Sequence, residues 1–274
     1  MKRIFCSLAV ILLVFTSCSK FRKIERSDDL EKKYNAAIKY YEDEDYFRSS
    51  VLFEQILPLL RGDKRAENVQ FYYAYSIFHQ RRYIESSYYF KVFFETYSRS
   101  EFAEESRYMY AYSLYLDSPV FNLDQTSTYD AIEAMQSFLN THPYSKYKDE
   151  ANDIINKLQV KLEKKAYTNA KEYYKLRDYD PRNLKAAIIA FENFEKDFPD
   201  SKMNEEISYL KVDAKYKLAK LSIPQKQRER YQETIEVYQE FIDDFPDGEF
   251  LKKAENIYKS CINDLDKLKS RNNL

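Results

Sequence analysis

The chain has 274 residues, of which 44% are apolar and 32% charged, and its formal net charge is −1. So even a balance leaves no global basic field to recruit nucleic acid. Two glycines are too few for the turns of a sheet-rich fold or for a loop that cradles phosphates. The unusual component is tyrosine, with 27 copies beside 19 phenylalanines and no tryptophan. A tyrosine ring can pack while its hydroxyl reaches water, which suits thin two-layer helical arrays.

The first element is an address. Lys2 and Arg3 precede an almost unbroken apolar run at 4–15, and small polar residues then lead to Cys18. This is the pattern of an export signal over 1–17, and its apolar run is too short to span a bilayer of about 30 Å. The alternative is a plain secreted leader with an incidental cysteine. Residues 15–18, FTSC, resemble the lipobox of bacterial lipoproteins. The resemblance implies cleavage before Cys18, a diacylated Cys18 and an acylated new N-terminus, and several acyl chains anchor stably where one binds marginally. Ser19 stands where that family's inner-membrane retention signal has aspartate, which implies an outer-membrane protein with its body in the periplasm. Residues 18–30 are expected to be a polar, lipidated tether.

The body, over 31–145 and 146–274, repeats one phrase. It reads FEKDFPDS at 194–201 and FIDDFPDG at 241–248, with looser copies FLNTHPYS at 138–145 and FFETYSRS at 93–100. Proline cannot continue a helix and biases the preceding residue away from helical angles, so the phrase predicts a helix stop and a new start. Ahead of each stop a small residue is followed by a large apolar one four later and another three after that. The sets are Ser49/Phe53/Ile56, Ser86/Phe90/Phe93, Ala131/Met135/Phe138, Ala187/Phe191/Phe194 and Thr234/Tyr238/Phe241. These spacings share one helical face. Partner helices carry Ala37/Tyr40, Ala74/Ile77 and Ala111/Leu114. Further expectations are a loop over 117–128, a long helix over 157–175, an Asp180 N-cap before Pro181, and a last helix near 249–269. Acids after each phrase, among them Glu104, Glu105, Glu205 and Glu206, are expected to complement the helix dipole.

No HExxH, CxxC or GxSxG motif occurs, and the sequence asks for no catalytic residue, cofactor or metal. His142 fills the aromatic slot before Pro143, and His79 lies in a turn with Gln80 and Arg81. Cys261 reads as a buried, inert thiol. Asp243 and Asp244 read as a solvated face or dipole partners. The aromatic stripes at 71–75 and 88–94 offer Tyr72, Tyr73 and Tyr88 to a peptide groove, with inter-helix core as the other reading.

The small-and-aromatic spacing with its closing proline resembles the tetratricopeptide repeat, although the later units are longer than that repeat's roughly 34 residues. The expected fold is therefore all-α, a superhelical array of about five such helix pairs with a C-terminal capping helix. With the lipobox, and above all the stretches at 186–201 and 229–248, the whole chain resembles the BamD family of the outer-membrane β-barrel assembly machinery. That resemblance implies a non-enzymatic scaffold lipid-anchored in the outer membrane through Cys18. Its C-terminal units would bind a BamA-like barrel protein among other assembly-complex subunits, and its N-terminal units would take unfolded outer-membrane protein segments. Tyr216, Lys217, Lys226, Arg228 and Arg230 are the residues expected to face the barrel protein. Two alternatives share most features: another periplasmic repeat lipoprotein serving the cell wall or an envelope complex, and a glycan-capturing surface lipoprotein. The lack of tryptophan argues against the second.

Overall fold

A computed structural model of the protein describes residues 20–272, and the leader with Cys6 and Cys18 lies outside the described residues. Every regular element among them is helical, and consecutive helices pack as tetratricopeptide-like pairs. The chain divides into two compact units, one ending at Leu158 and the other beginning at Gln159.

In the first unit the helices are α1 (Leu30–Glu42), α2 (Tyr46–Ile56), α3 (Arg65–His79), α4 (Tyr83–Thr96), α5 (Ala103–Asp117) and α6 (Thr126–Thr141). The start of α7 (Lys148–Lys175) completes it. The second unit holds the rest of α7, then α8 (Asn183–Asp197), α9 (Asn204–Lys220), α10 (Pro224–Asp244) and α11 (Leu251–Asn272). As a cap should, α11 packs on both α10 and α9.

All five small–large–large sets are buried, and each set has its last large residue at 1% exposure or less. Truncating such a buried phenylalanine to alanine costs about 3–5 kcal/mol. Small residues let neighbouring helices touch: Ser86 Oγ lies 2.9 Å from Ser113 Oγ, and Ser76 Oγ donates to Ser49 Oγ at 3.3 Å. The tight turns inside the first two pairs contain no glycine. Glu44 and Arg81 take them instead, each at φ 60°, a left-handed conformation that costs a side-chain-bearing residue about 1–2 kcal/mol.

The repeated phrase folds the same way each time. The N–H groups of Tyr97, His142, Phe198 and Phe245 donate to the carbonyls of Phe93, Phe138, Phe194 and Phe241 respectively, at 2.8–2.9 Å. In every case the capping ring packs on the ring four residues back, with centroids 5.2–5.6 Å apart. The three caps that precede proline sit near φ −132° and ψ 60–64°, outside the helical region that proline disfavours for its predecessor. In the first three copies the closing serine then starts the next helix. Ser100, Ser145 and Ser201 each accept, through Oγ, the N–H two residues on at 3.0–3.1 Å.

Four local expectations are corrected. The insertion spans 118–125 rather than 117–128, because buried Gln125 holds it closed. Its Nε2 donates to the carbonyls of Val120 and Leu123 at 2.9 and 3.0 Å, and its Oε1 accepts from Thr128 Oγ1 at 2.8 Å. The long helix starts at Lys148, not 157, with only two residues between it and the phrase at 138–145. Asp180 is not the N-cap of α8. The helix begins at Asn183, and Asp180 accepts from the Arg182 N–H at 2.9 Å, bracing the turn. Within the stretch read as tether, residues 20–25 are helical. Phe21 is buried there against Tyr40 at 5.8 Å, with the Arg48 guanidinium 5.6 Å from its ring centroid.

Candidate functional site

The tyrosines that composition singles out work as joints between the first helices of successive pairs. Tyr75 on α3 donates to Glu105 on α5, and Tyr167 on α7 donates to Glu206 on α9. Tyr174 on α7 donates to Asp213 on α9, and Tyr216 on α9 donates to Asp264 on α11 at 3.2 Å. Two of these joints also hold a lysine. Lys171 Nζ lies 2.7 Å from both Tyr167 Oη and Glu206 Oε1, and Lys217 Nζ lies 2.7 Å from Tyr174 Oη and binds Asp213. Burial works against the Glu206 carboxylate, but the hydrogen bonds from Lys171 and Tyr167 outweigh it and hold its pKa below the ordinary value. Burial pushes the hydroxyls of Tyr41, Tyr73 and Tyr75 up, so they stay protonated donors.

Composition pointed to tyrosine but not to these partners. Glu105 and Glu206 do stand in the first turns of α5 and α9, where the dipole favours them, and each is also a tyrosine acceptor. The neighbouring acids close the next joint: Glu104 accepts from Ser145 Oγ at 2.5 Å, and Glu205 from the Phe250 N–H at 2.8 Å. One signal was available. Tyr167 and Tyr174 are seven residues apart, as are Glu206 and Asp213, and seven residues are two helical turns on one face.

The residues expected at a peptide groove do not share one setting. Tyr73 is core, with its hydroxyl 3.4 Å from Tyr89. Tyr72 is half-buried against Tyr41, with centroids 4.8 Å apart. Only Tyr88 is open, at 60% exposure, edge-on to Tyr89. Tyr41, Tyr46, Tyr72, Tyr75 and His79 form a continuous aromatic cluster instead, in which Tyr46 and His79 stack at 4.2 Å.

The basic set also divides. Tyr216 and Lys217 are committed to joints inside the second unit. Lys226 and Arg228 are exposed on the first turns of α10, and Lys226 lies 3.8 Å from Glu229. Arg230 binds Ser222 and borders an apolar cleft of about 270 Å³ floored by Ile188, Ile189 and Leu218. Lys226 and Arg230 share a helical face, whereas Arg228 points away from both by about 160°. Cys261 is fully buried, and burial pushes its thiol up to about 12. No helix among the described residues is long and apolar enough to cross a membrane.

A family model described as YfiO, outer membrane lipoprotein, matches residues 26–181 and 173–267, which takes in both compact units. No curated protein matches the chain significantly.

Proposed function

Because this chain belongs to the YfiO family of outer membrane lipoproteins, we propose that it is a scaffold of the β-barrel assembly machinery. It is anchored by acyl chains on Cys18 and faces the periplasm. Its second unit binds a BamA-like barrel protein, and its first unit receives unfolded outer-membrane protein segments. The observation that carries this reading is the family match, which runs through every helix pair. Helix pairs that stack and expose polar flanks suit a protein whose work is holding partners, and their chemistry is that of packing and hydrogen bonding.

The residues best placed for the barrel partner are Lys226 and Arg228, because their heads are in solvent. Lys217 is a poor reporter, since reversing its charge would set a carboxylate against Asp213 and Tyr174. The test is co-purification from solubilised outer membrane, comparing the natural chain with Lys226→Glu/Arg228→Glu. The natural chain should bring down the barrel protein and the double variant should not. Unchanged recovery would show that the exposed start of α10 is not the contact. Recovery of wall-associated proteins or of a sugar-importing porin instead would overturn the assembly role itself.

A further inference from the structure

A second surface lies between the last two copies of the repeated phrase. The end of α8, the turn with Pro199 and Asp200, the start of α9 and the end of α10 enclose a cleft of about 730 Å³. Glu195, Asp200, Glu240, Asp243 and Asp244 line it, against one ammonium group, that of Lys211. Lys211 is spent within the wall: its Nζ lies 2.6 Å from Glu195 Oε2. The other four carboxylates make no ion pair among the described residues. Phe245 and Pro199 supply apolar surface beside them.

An independent observation comes from Asn204, which lines the same cleft and is only 9% exposed. Its Nδ2 is committed to the carbonyls of Phe198 and Pro199, each at 2.8 Å. That leaves Oδ1 as a buried acceptor with no donor among the described residues. A buried amide oxygen without a partner is costly, and the residue that carries it lines an unbalanced acidic cleft.

From this arrangement we propose that the cleft receives an arginine- or lysine-bearing extended segment of a partner protein. One cationic head reaches Asn204 Oδ1 and the others pair with Asp243, Asp244 and Asp200. A guanidinium suits this best, since its fork of N–H donors can serve an amide oxygen and a carboxylate together. A single metal ion fits less well, because no three of the described His, Cys, Asp or Glu side chains are placed to hold one. The carboxylates are instead spread along a cleft wide enough for several residues of chain. The surface is acidic and separate from exposed Lys226 and Arg228, so it selects partners of the opposite charge.

The test is fluorescence anisotropy on the purified full-length protein in detergent, with a fluorescein-labelled peptide of alternating arginine and serine. The same peptide with glutamine in place of arginine is the control probe. The natural chain should bind the arginine peptide, bind it less as salt rises, and ignore the glutamine peptide. Asp243→Asn/Asp244→Asn changes exposed groups that have no ion pair, so the fold is retained, and it should weaken binding by about tenfold. Asp153→Asn/Glu172→Gln, which removes equal charge from exposed positions on α7, should leave binding unchanged. Equal affinity for all three proteins, or equal losses in both variants, would overturn the proposal. So would tight calorimetric binding of Ca²⁺ that displaces the peptide. None of these outcomes depends on whether the barrel protein co-purifies.

Discussion

At the scale of single residues, a hydroxyl or carboxylate matters here through the helix it reaches. Tyr75, Tyr167 and Tyr174 each place a ring in the groove of one pair and a donor on the next. A hydrogen bond to a charged acceptor contributes about 1.5–3 kcal/mol, more than a neutral one. Asp63 shows the same economy at a turn. Its carboxylate takes the side chain of Arg65 at 2.7 Å and the Arg65 N–H at 2.8 Å, and Arg65 also reaches Glu31 on α1. The hydrogen bonds from Arg65 hold Asp63 down, from the ordinary 3.8 to about 2. A carboxylate depressed on folding adds stability that is complete above its unfolded value and is lost as pH falls through its folded one. The urea midpoint should therefore decline between pH 3.8 and about 2, and Asp63→Asn should flatten that part of the decline. An equally steep decline in the variant would remove Asp63 from the account.

At the scale of elements, the repeated phrase is a complete capping device. An aromatic residue caps one helix and stacks on the ring four back, and a serine hydroxyl opens the next helix. The last copy breaks the rule in an informative way. Gly248 stands in the serine's place and has no hydroxyl, and Glu205 from α9 accepts the Phe250 N–H instead. A Cβ at 248 would come within 2.5 Å of that same Glu205 oxygen. Gly248→Ala should therefore drive Glu205 away and leave Phe250 N–H unpaired, costing about 1–2 kcal/mol. Gly248→Ser should recover most of the loss, because its Oγ can resume the role seen at Ser201. Guanidinium denaturation of both variants checks this, and equal losses would show that the carboxylate swap carries no weight.

At the scale of the whole molecule, a repeat protein of this family presents surfaces, and its location decides what those surfaces meet. Our reading places the anchor on Cys18. The natural chain should then fractionate with the outer membrane and Cys18→Ser should appear in the soluble periplasmic fraction, since multiple acyl chains rather than the protein body supply membrane affinity. A variant that still sediments with membranes would point to another means of attachment. The two ends of α10 differ in sign: Lys226 and Arg228 stand exposed near its start, whereas Asp243 and Asp244 sit exposed at its far end. One helix thus offers opposite charges at its two ends, and the two proposed contacts would be distinguishable by the sign of the partner's charge.

The amino-acid sequence by itself determined the helical class, the pairing, the core and the helix stops. The reason is that spacing of three and four, a small residue at each crossing and a proline after each cap are all local rules, legible in Phe191, Phe194 and Pro199 without neighbours. The burial expected of the lone Cys261 is also seen. What only the tertiary structure decided is which polar groups meet across a repeat. Glu105 and Glu206 looked like dipole partners because their own helix explains them, and the tyrosines they serve lie 30 and 39 residues earlier. Tyr73, which the sequence left between groove and core, is core, because one residue's step around a helix separates it from half-buried Tyr72. The acidic cleft was equally hidden. Asp243 and Asp244 are exposed, as the sequence suggests for a solvated pair, and the fold adds that they line one cleft with Asn204.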